Sequence, residues 1–184
     1  MDSQEIILFN KEGFTFSRVK KNKYKLQFSI ENNNINISKI IDFNLVKLIY
    51  DLNPDIYEKI NIKILNDFEA IATLLMKPFF EDLGLPQKFS FLHMKKIVEE
   101  RKIIFKSTSI KDFRPENLPD DAEQMAIEDL TSVCDIITPH KVYFTFNIIF
   151  NDSMNIPQMV EKMVGLILFK IFKRVKQFIE NVRI

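Results

Sequence analysis

Enzyme chemistry needs nucleophiles, bases or metal ligands held close together, and this sequence is sparing with all three. Its histidines are His93 and His140, and its one cysteine is Cys134. Their spacing matches no zinc site, so no metal is expected, and no cofactor either. The glycines Gly13, Gly84 and Gly165 stand isolated, so neither GxGxxG nor GxxxxGK(S/T) occurs and no phosphate cradle is encoded. His93 falls on an alternating stretch beside Phe91 and Met94, which suits a half-buried, hydrogen-bonded ring. His140 falls at a turn tip, in solvent. Cys134 falls among apolar residues, where a thiol is a small and inert core group. Asp135 and Asp152 have the chemistry for carboxylate acid–base work, but their places at strand flanks account for them equally well. No motif identifies a reaction, and the balance falls against an enzyme.

Two basic clusters are candidates for binding. Lys20, Lys21, Lys23 and Lys25 surround Tyr24, and Lys170, Lys173, Arg174 and Lys176 crowd the C-terminal half of a helix. Basic residues interleaved with aromatics can hold single-stranded nucleic acid, but Tyr24 and Phe28 alternate inward with their strand. A solvated face is the simpler reading, and nucleic acid is not an expected partner. Lys20, Lys21 and Lys23 also suit a peripheral contact with an anionic membrane. Lysine and arginine number 26 against 25 aspartates and glutamates, a net charge of +1. No long-range field therefore draws a polyanion.

The elements that position these residues follow from periodicity. Apolar residues recur at Ile156, Val160, Met163, Ile167, Ile171, Val175, Phe178 and Val182, which predicts one long helix over Ile156–Val182. Before it, Val142, Phe144, Phe146, Ile148 and Phe150 alternate as a strand. A three-residue turn, Pro139-His140-Lys141, sets Ile136 opposite Phe144, Cys134 opposite Phe146 and Ser132 opposite Ile148. A two-residue turn would set Asp135 opposite Phe144, a poor core pair. Phe89–Val98 and Ile103–Ile110 read as another hairpin.

Near the N-terminus, Ile6–Phe9, Phe14–Ser17 and Tyr24–Ile30 are strand-like, with a turn at Glu31–Asn34 returning through Ile35 and Ile37. Asp42 or Asn44 caps a helix through Leu52. A short strand is expected at Ile60–Ile64, and a second helix from Asp67, bent or divided at Pro78 and ended by Gly84 and Pro86. Lys111–Asp129 reads as an acidic surface loop with one helical turn at Ala122–Met125.

The 184 residues suit one domain, with hairpin strands over 1–35 and the core over 36–182. The apolar fraction of 46% and 18 phenylalanines promise an ample core. A lone cysteine allows no internal disulfide, which fits a reducing compartment. The opening MDSQEIILFN has no signal-peptide pattern. The apolar run Met163–Phe169 is far short of the ~20 residues of a membrane span. A cytoplasmic protein is expected.

Strands, helices, antiparallel strands and one long final helix form an order that resembles the START/SRPBCC (Bet v 1-like) superfamily. The resemblance spans Asn36 to Val182 and rests on element order, above all on the hairpin-then-helix ending, Leu130–Val182. The strands before Asn36 and the strand at Ile60 depart from the minimal pattern. The resemblance implies an α+β helix-grip fold, a curved antiparallel sheet of about six to seven strands wrapping the long helix. It further implies a lipid or other hydrophobic ligand held by Phe144, Phe146, Ile148, Met159, Met163 and Ile167. The alternative is an interaction or structural protein with a solidly packed core and a protein partner. The Asn/Ile/Lys/Phe bias also resembles that of uncharacterised proteins of large DNA viruses of protists, in which case the compartment would be the host cytoplasm.

Overall fold

In the computed structural model, residues 5–78, 86–152 and 156–183 are described. They form an α+β fold in which a large curved antiparallel sheet grips a C-terminal helix. The strands are β1 (Ile6–Lys11), β2 (Phe14–Lys20), β3 (Lys23–Glu31), β4 (Tyr57–Asn66), β5 (Glu69–Met76), β6 (Lys88–Glu99), β7 (Lys102–Ser109), β8 (Glu123–Gln124), β9 (Ile127–Thr138) and β10 (Lys141–Phe150). The helices are α1 (Phe43–Asp51) and α2 (Gln158–Asn181). The sheet runs β1-β2-β3-β10-β9-β7-β6-β5-β4, and β8 pairs with β6 in parallel. These described strands outnumber the expected six or seven, because the N-terminal strands β1 and β2, expected outside the grip core, join the same sheet and because β5 and β8 form where helix is expected.

Three local expectations fail for identifiable reasons. The stretch Glu69–Met76 is a strand and not a helix. Ala70, Ala72 and Leu74 face inward, while Leu75 is buried on the outer face with Phe89, Phe91 and Ala122. Burial on both faces erases the alternation that marks a one-sided strand. Ile37–Lys39 is a single turn of 3₁₀ helix, not a strand returning from Ile30. The partner of Ile30 is Val142 of β10 instead. Ala122–Met125 contributes β8 and no helical turn.

The β9–β10 hairpin has a two-residue turn, Pro139-His140, yet Asp135 does not enter the core. Thr138 pairs with Lys141, and the register then slips, so that Ile136 meets Val142 and Cys134 meets Phe144. A bulge at Ile137 absorbs the extra residue and restores the inward face. The expected pairings were therefore off by two residues, an even slip that leaves every side chain on its predicted face.

Helix α1 begins as expected. The Asp42 carboxylate accepts hydrogen bonds from the Asn44 and Leu45 amides. Helix α2 is continuous, and side chains from the rest of the chain tie it down along its length. Near its start, Arg18 of β2 donates two 3.0 Å hydrogen bonds to the buried Glu161 carboxylate, and the Tyr24 hydroxyl donates a third at 2.8 Å. Midway, Arg174 and Lys170 both hold Asp55. At its end, Asn32 Nδ2 donates to the carbonyls of Ile179 and Val182 at 2.6 and 2.9 Å, capping groups the helix cannot satisfy itself. Phe178, expected on the buried face, is exposed, as is Leu166. No helix among the described residues is long and apolar enough to cross a membrane.

Candidate functional site

The two halves of the inner sheet face are built from side chains of different size. On β2, β3 and β10 they are aromatic: Phe14, Phe16, Tyr24, Phe28, Phe144 and Phe146 are all buried. Phe14, Phe28 and Phe144 stack in sequence, with ring centroids 4.6 and 5.2 Å apart. Phe169 and Phe172 of α2 close over them. On β5–β7 the inward positions mix the small Ala70, Ala72, Ser90 and Ser107 with Leu74, Leu92, Met94 and Phe105. One row across the sheet runs Ala70, Met94, Ser107, Leu130, Ile148, Tyr24. Aromatic rings fill one half and hold the helix at their own height. Over the smaller side chains of the other half, space remains.

That space is a cavity of about 180 Å³. Its floor is β5, β6, β7, β9 and β10, and its roof is α1 and α2. On α2 the roof residues are Val164, Ile167, Leu168, Ile171 and Phe172, one helical face by spacing. Phe144, Phe146, Ile148 and Ile167, expected at a ligand site, all lie on its wall. Met163 is half-buried and does not line the cavity, because the neighbouring Val164 holds the inward position. The side chain of Met159 lies outside the described residues. Sequence reasoning missed the α1 contribution of Leu45, Val46, Ile49 and Tyr50, and the serines Ser90 and Ser107 on the floor. Small side chains carry no periodic signal, so only the three-dimensional pairing brings them out.

Among the described residues no charged side chain lines the cavity. Its polar groups are the hydroxyls of Ser90, Ser107, Ser132, Tyr50 and Tyr57 and the Cys134 thiol. Burial pushes the Tyr50 phenol up to about 12, the Tyr57 phenol well above its usual value, and the Cys134 thiol up as well. All are neutral at physiological pH. The chamber can hold an uncharged molecule and offer it hydroxyl contacts. No three His, Cys, Asp or Glu side chains among the described residues are grouped to hold a metal ion.

The other candidate residues lie elsewhere. His93 is on the outer face, with Nε2 3.8 Å from Glu69. His140 is not simply solvated. Its Nδ1 is 2.7 Å from the Ile35 carbonyl, which can only accept, so that nitrogen carries the proton. Lys20 and Lys21 are exposed at the β2–β3 turn, and Lys23 is half-buried beside them. Tyr24 and Phe28 point inward, away from those lysines. In the helical cluster every cation has a partner: Lys170 and Arg174 hold Asp55, Lys173 holds Glu12, and Lys176 holds Glu180. Asp135 faces Lys102 at 3.6 Å, and Asp152 is exposed. The acidic segment is folded onto the outer face of the sheet. Arg114 donates to the carbonyls of Pro119 and Ala122 and lies over the Phe89 ring.

No family model matches the sequence, and no curated protein matches it. Solved structures match its fold. The lipid transfer and protein localization domain of human StarD13 superposes with a TM-score of 0.71 at 11% identity, over 97% of this chain and 90% of that one. Human STARD10 gives 0.68 at 11% identity, over 95% and 72%. A fragment of a STAR-related lipid transfer protein from Xanthomonas axonopodis gives 0.67 at 12% identity, over 95% and 98%. At such identities the likeness is one of fold, and the fold is START/SRPBCC-like.

Proposed function

We propose that this START-like fold binds a small, uncharged hydrophobic ligand in the chamber between the sheet and α2. The observation that carries the reading is the apolar cavity itself, about 180 Å³ under a helix that is anchored along its length. A solid-core interaction protein would have no use for such a space, and the likeness in fold to the StarD13 lipid transfer domain and the STAR-related lipid transfer protein supports the same reading. A cavity of ~150 Å³ lined by aliphatic and aromatic side chains holds benzene, so this one accommodates a ring of that size or a slightly larger molecule. Met76, Met94 and Met125 on the wall are flexible and can reshape it for a longer chain.

Native mass spectrometry before and after denaturation tests whether a small molecule travels with the purified protein. Ethylbenzene tests the chamber directly. A ligand that binds only the folded state raises the melting temperature by mass action. Ile167→Trp, which fills the roof of the chamber, should abolish that shift while leaving a cooperative transition. If ethylbenzene leaves the melting temperature of the unaltered protein unchanged and no molecule co-purifies, the binding function is wrong.

A further inference from the structure

Ser107 is fully buried on the inner face of β7, between Met94 of β6 and Leu130 of β9. It lines the chamber, and its Oγ is the buried side-chain polar atom among the described residues that has no hydrogen-bond partner. Leaving a hydroxyl unpaired in an apolar interior is costly, and an alanine of nearly the same size would avoid that cost. The residues around it gain nothing from it: Ala70, Met94, Leu130 and Ile148 complete its row across the sheet. Ser132 lies diagonally across on β9, about 7–8 Å away by strand geometry. The chamber floor thus carries a fully buried hydroxyl with no protein partner at Ser107, beside the hydroxyls of Ser90 and Ser132, and no charge anywhere on its described wall.

We infer that Ser107 is the polar anchor of the ligand site, and that the ligand is a neutral molecule bearing a hydroxyl or carbonyl group on a hydrocarbon body. This rests on the binding function proposed above and narrows it. A hydrocarbon without an oxygen would leave Ser107 unpaired, and a carboxylate would enter a site with no cation to receive it. A serine hydroxyl both donates and accepts, so either an alcohol or a carbonyl completes it.

Three probes of similar size separate the cases: 4-ethylphenol, 4-ethyltoluene and 4-methylbenzoate, each measured by calorimetry and thermal shift at pH 7. The expected order is 4-ethylphenol tighter than 4-ethyltoluene by about 3–10-fold, as one buried hydrogen bond gives, with no binding of 4-methylbenzoate. Ser107→Ala should lose that preference and bind the phenol and the toluene alike. Without ligand, the same variant should melt higher than the unaltered protein, because the unpaired hydroxyl is gone. Ser107→Cys, similar in size but a weak hydrogen-bonding group, should show a reduced preference and keeps the test open if the alanine variant folds poorly. Equal binding of the phenol and the toluene by the unaltered protein would overturn the anchor while leaving the hydrophobic site standing. A preference that survives in Ser107→Ala, or tight binding of the benzoate, would overturn it too. Failure of both uncharged probes would overturn the chamber and the anchor together.

Discussion

Gly165 sits where α2 crosses β2, and a methyl group added there would lie 2.4 Å from Phe16 Cδ1 and 2.9 Å from Phe9 Cε1. Helix propensity alone favours alanine over glycine by about 1 kcal/mol. Here the ring cannot yield, since Phe16 is stacked between Phe9 and Tyr24 at 5.4 and 5.8 Å. Gly165→Ala should therefore destabilise the fold by about 1–3 kcal/mol in urea unfolding, reversing the usual sign. Phe146 poses the opposite case. It packs on Phe172 at 5.1 Å and borders the chamber, so Phe146→Ala removes a large ring beside existing space. The expected loss is about 3–5 kcal/mol by the same measurement. Phe146 could be picked out from the sequence because a large side chain on a regular strand announces its face. Ser107 could not, because an inward serine looks like any outward one until its neighbours on β6 and β9 are known.

Strand β10 and helix α2 were legible because each buries a single face, so that its period survives in the sequence. Strand β5 was not, since the folded acidic segment covers its back. The β9–β10 register shows a third situation: burial fixes the parity of a pairing, and a bulge then chooses among pairings of that parity. The elements are also held by charge. Asp55, on the connection from α1 to β4, is clasped by Arg174 and Lys170 of α2, and Arg174 also donates to Asn53 Oδ1 at 2.9 Å. The Arg174 and Lys170 hydrogen bonds hold the Asp55 carboxyl well below the usual carboxylate range. A depressed folded pKa stabilises fully above the unfolded value of about 3.9 and less as the pH falls through it toward the folded value. The carboxylate is 42% exposed, so the contribution at pH 7 is on the order of 1 kcal/mol or less. Asp55→Asn should unfold at lower urea than the unaltered protein at pH 7, and the gap should narrow below about pH 4. A gap that stays constant from pH 7 to pH 3 would show that the clasp contributes through shape and not charge.

At the scale of the whole molecule, Cys134 reports on global opening. It lies between β7 and β10 near the centre of the sheet, with its thiol pushed up by burial. A thiol is reactive only as an accessible thiolate. Labelling by dithionitrobenzoate at pH 8 should therefore be slow, and its rate should rise with urea in step with global unfolding. Rapid labelling in native buffer would mean that the β7–β9–β10 region opens alone. The sheet order has a further consequence. Among the described residues the sheet ends in β1 and β4, and an open edge strand is a template for another chain. Strand β4 is guarded, with Glu58, Lys59 and Lys63 along it and register slips at both ends of its pairing. Strand β1 is guarded less: it has one slip, a single charge at Lys11, and Ile6 and Ile7 exposed by 47% and 63%. Aggregation of this fold is thus expected to start as edge-to-edge strand addition at β1, with the core still folded behind it.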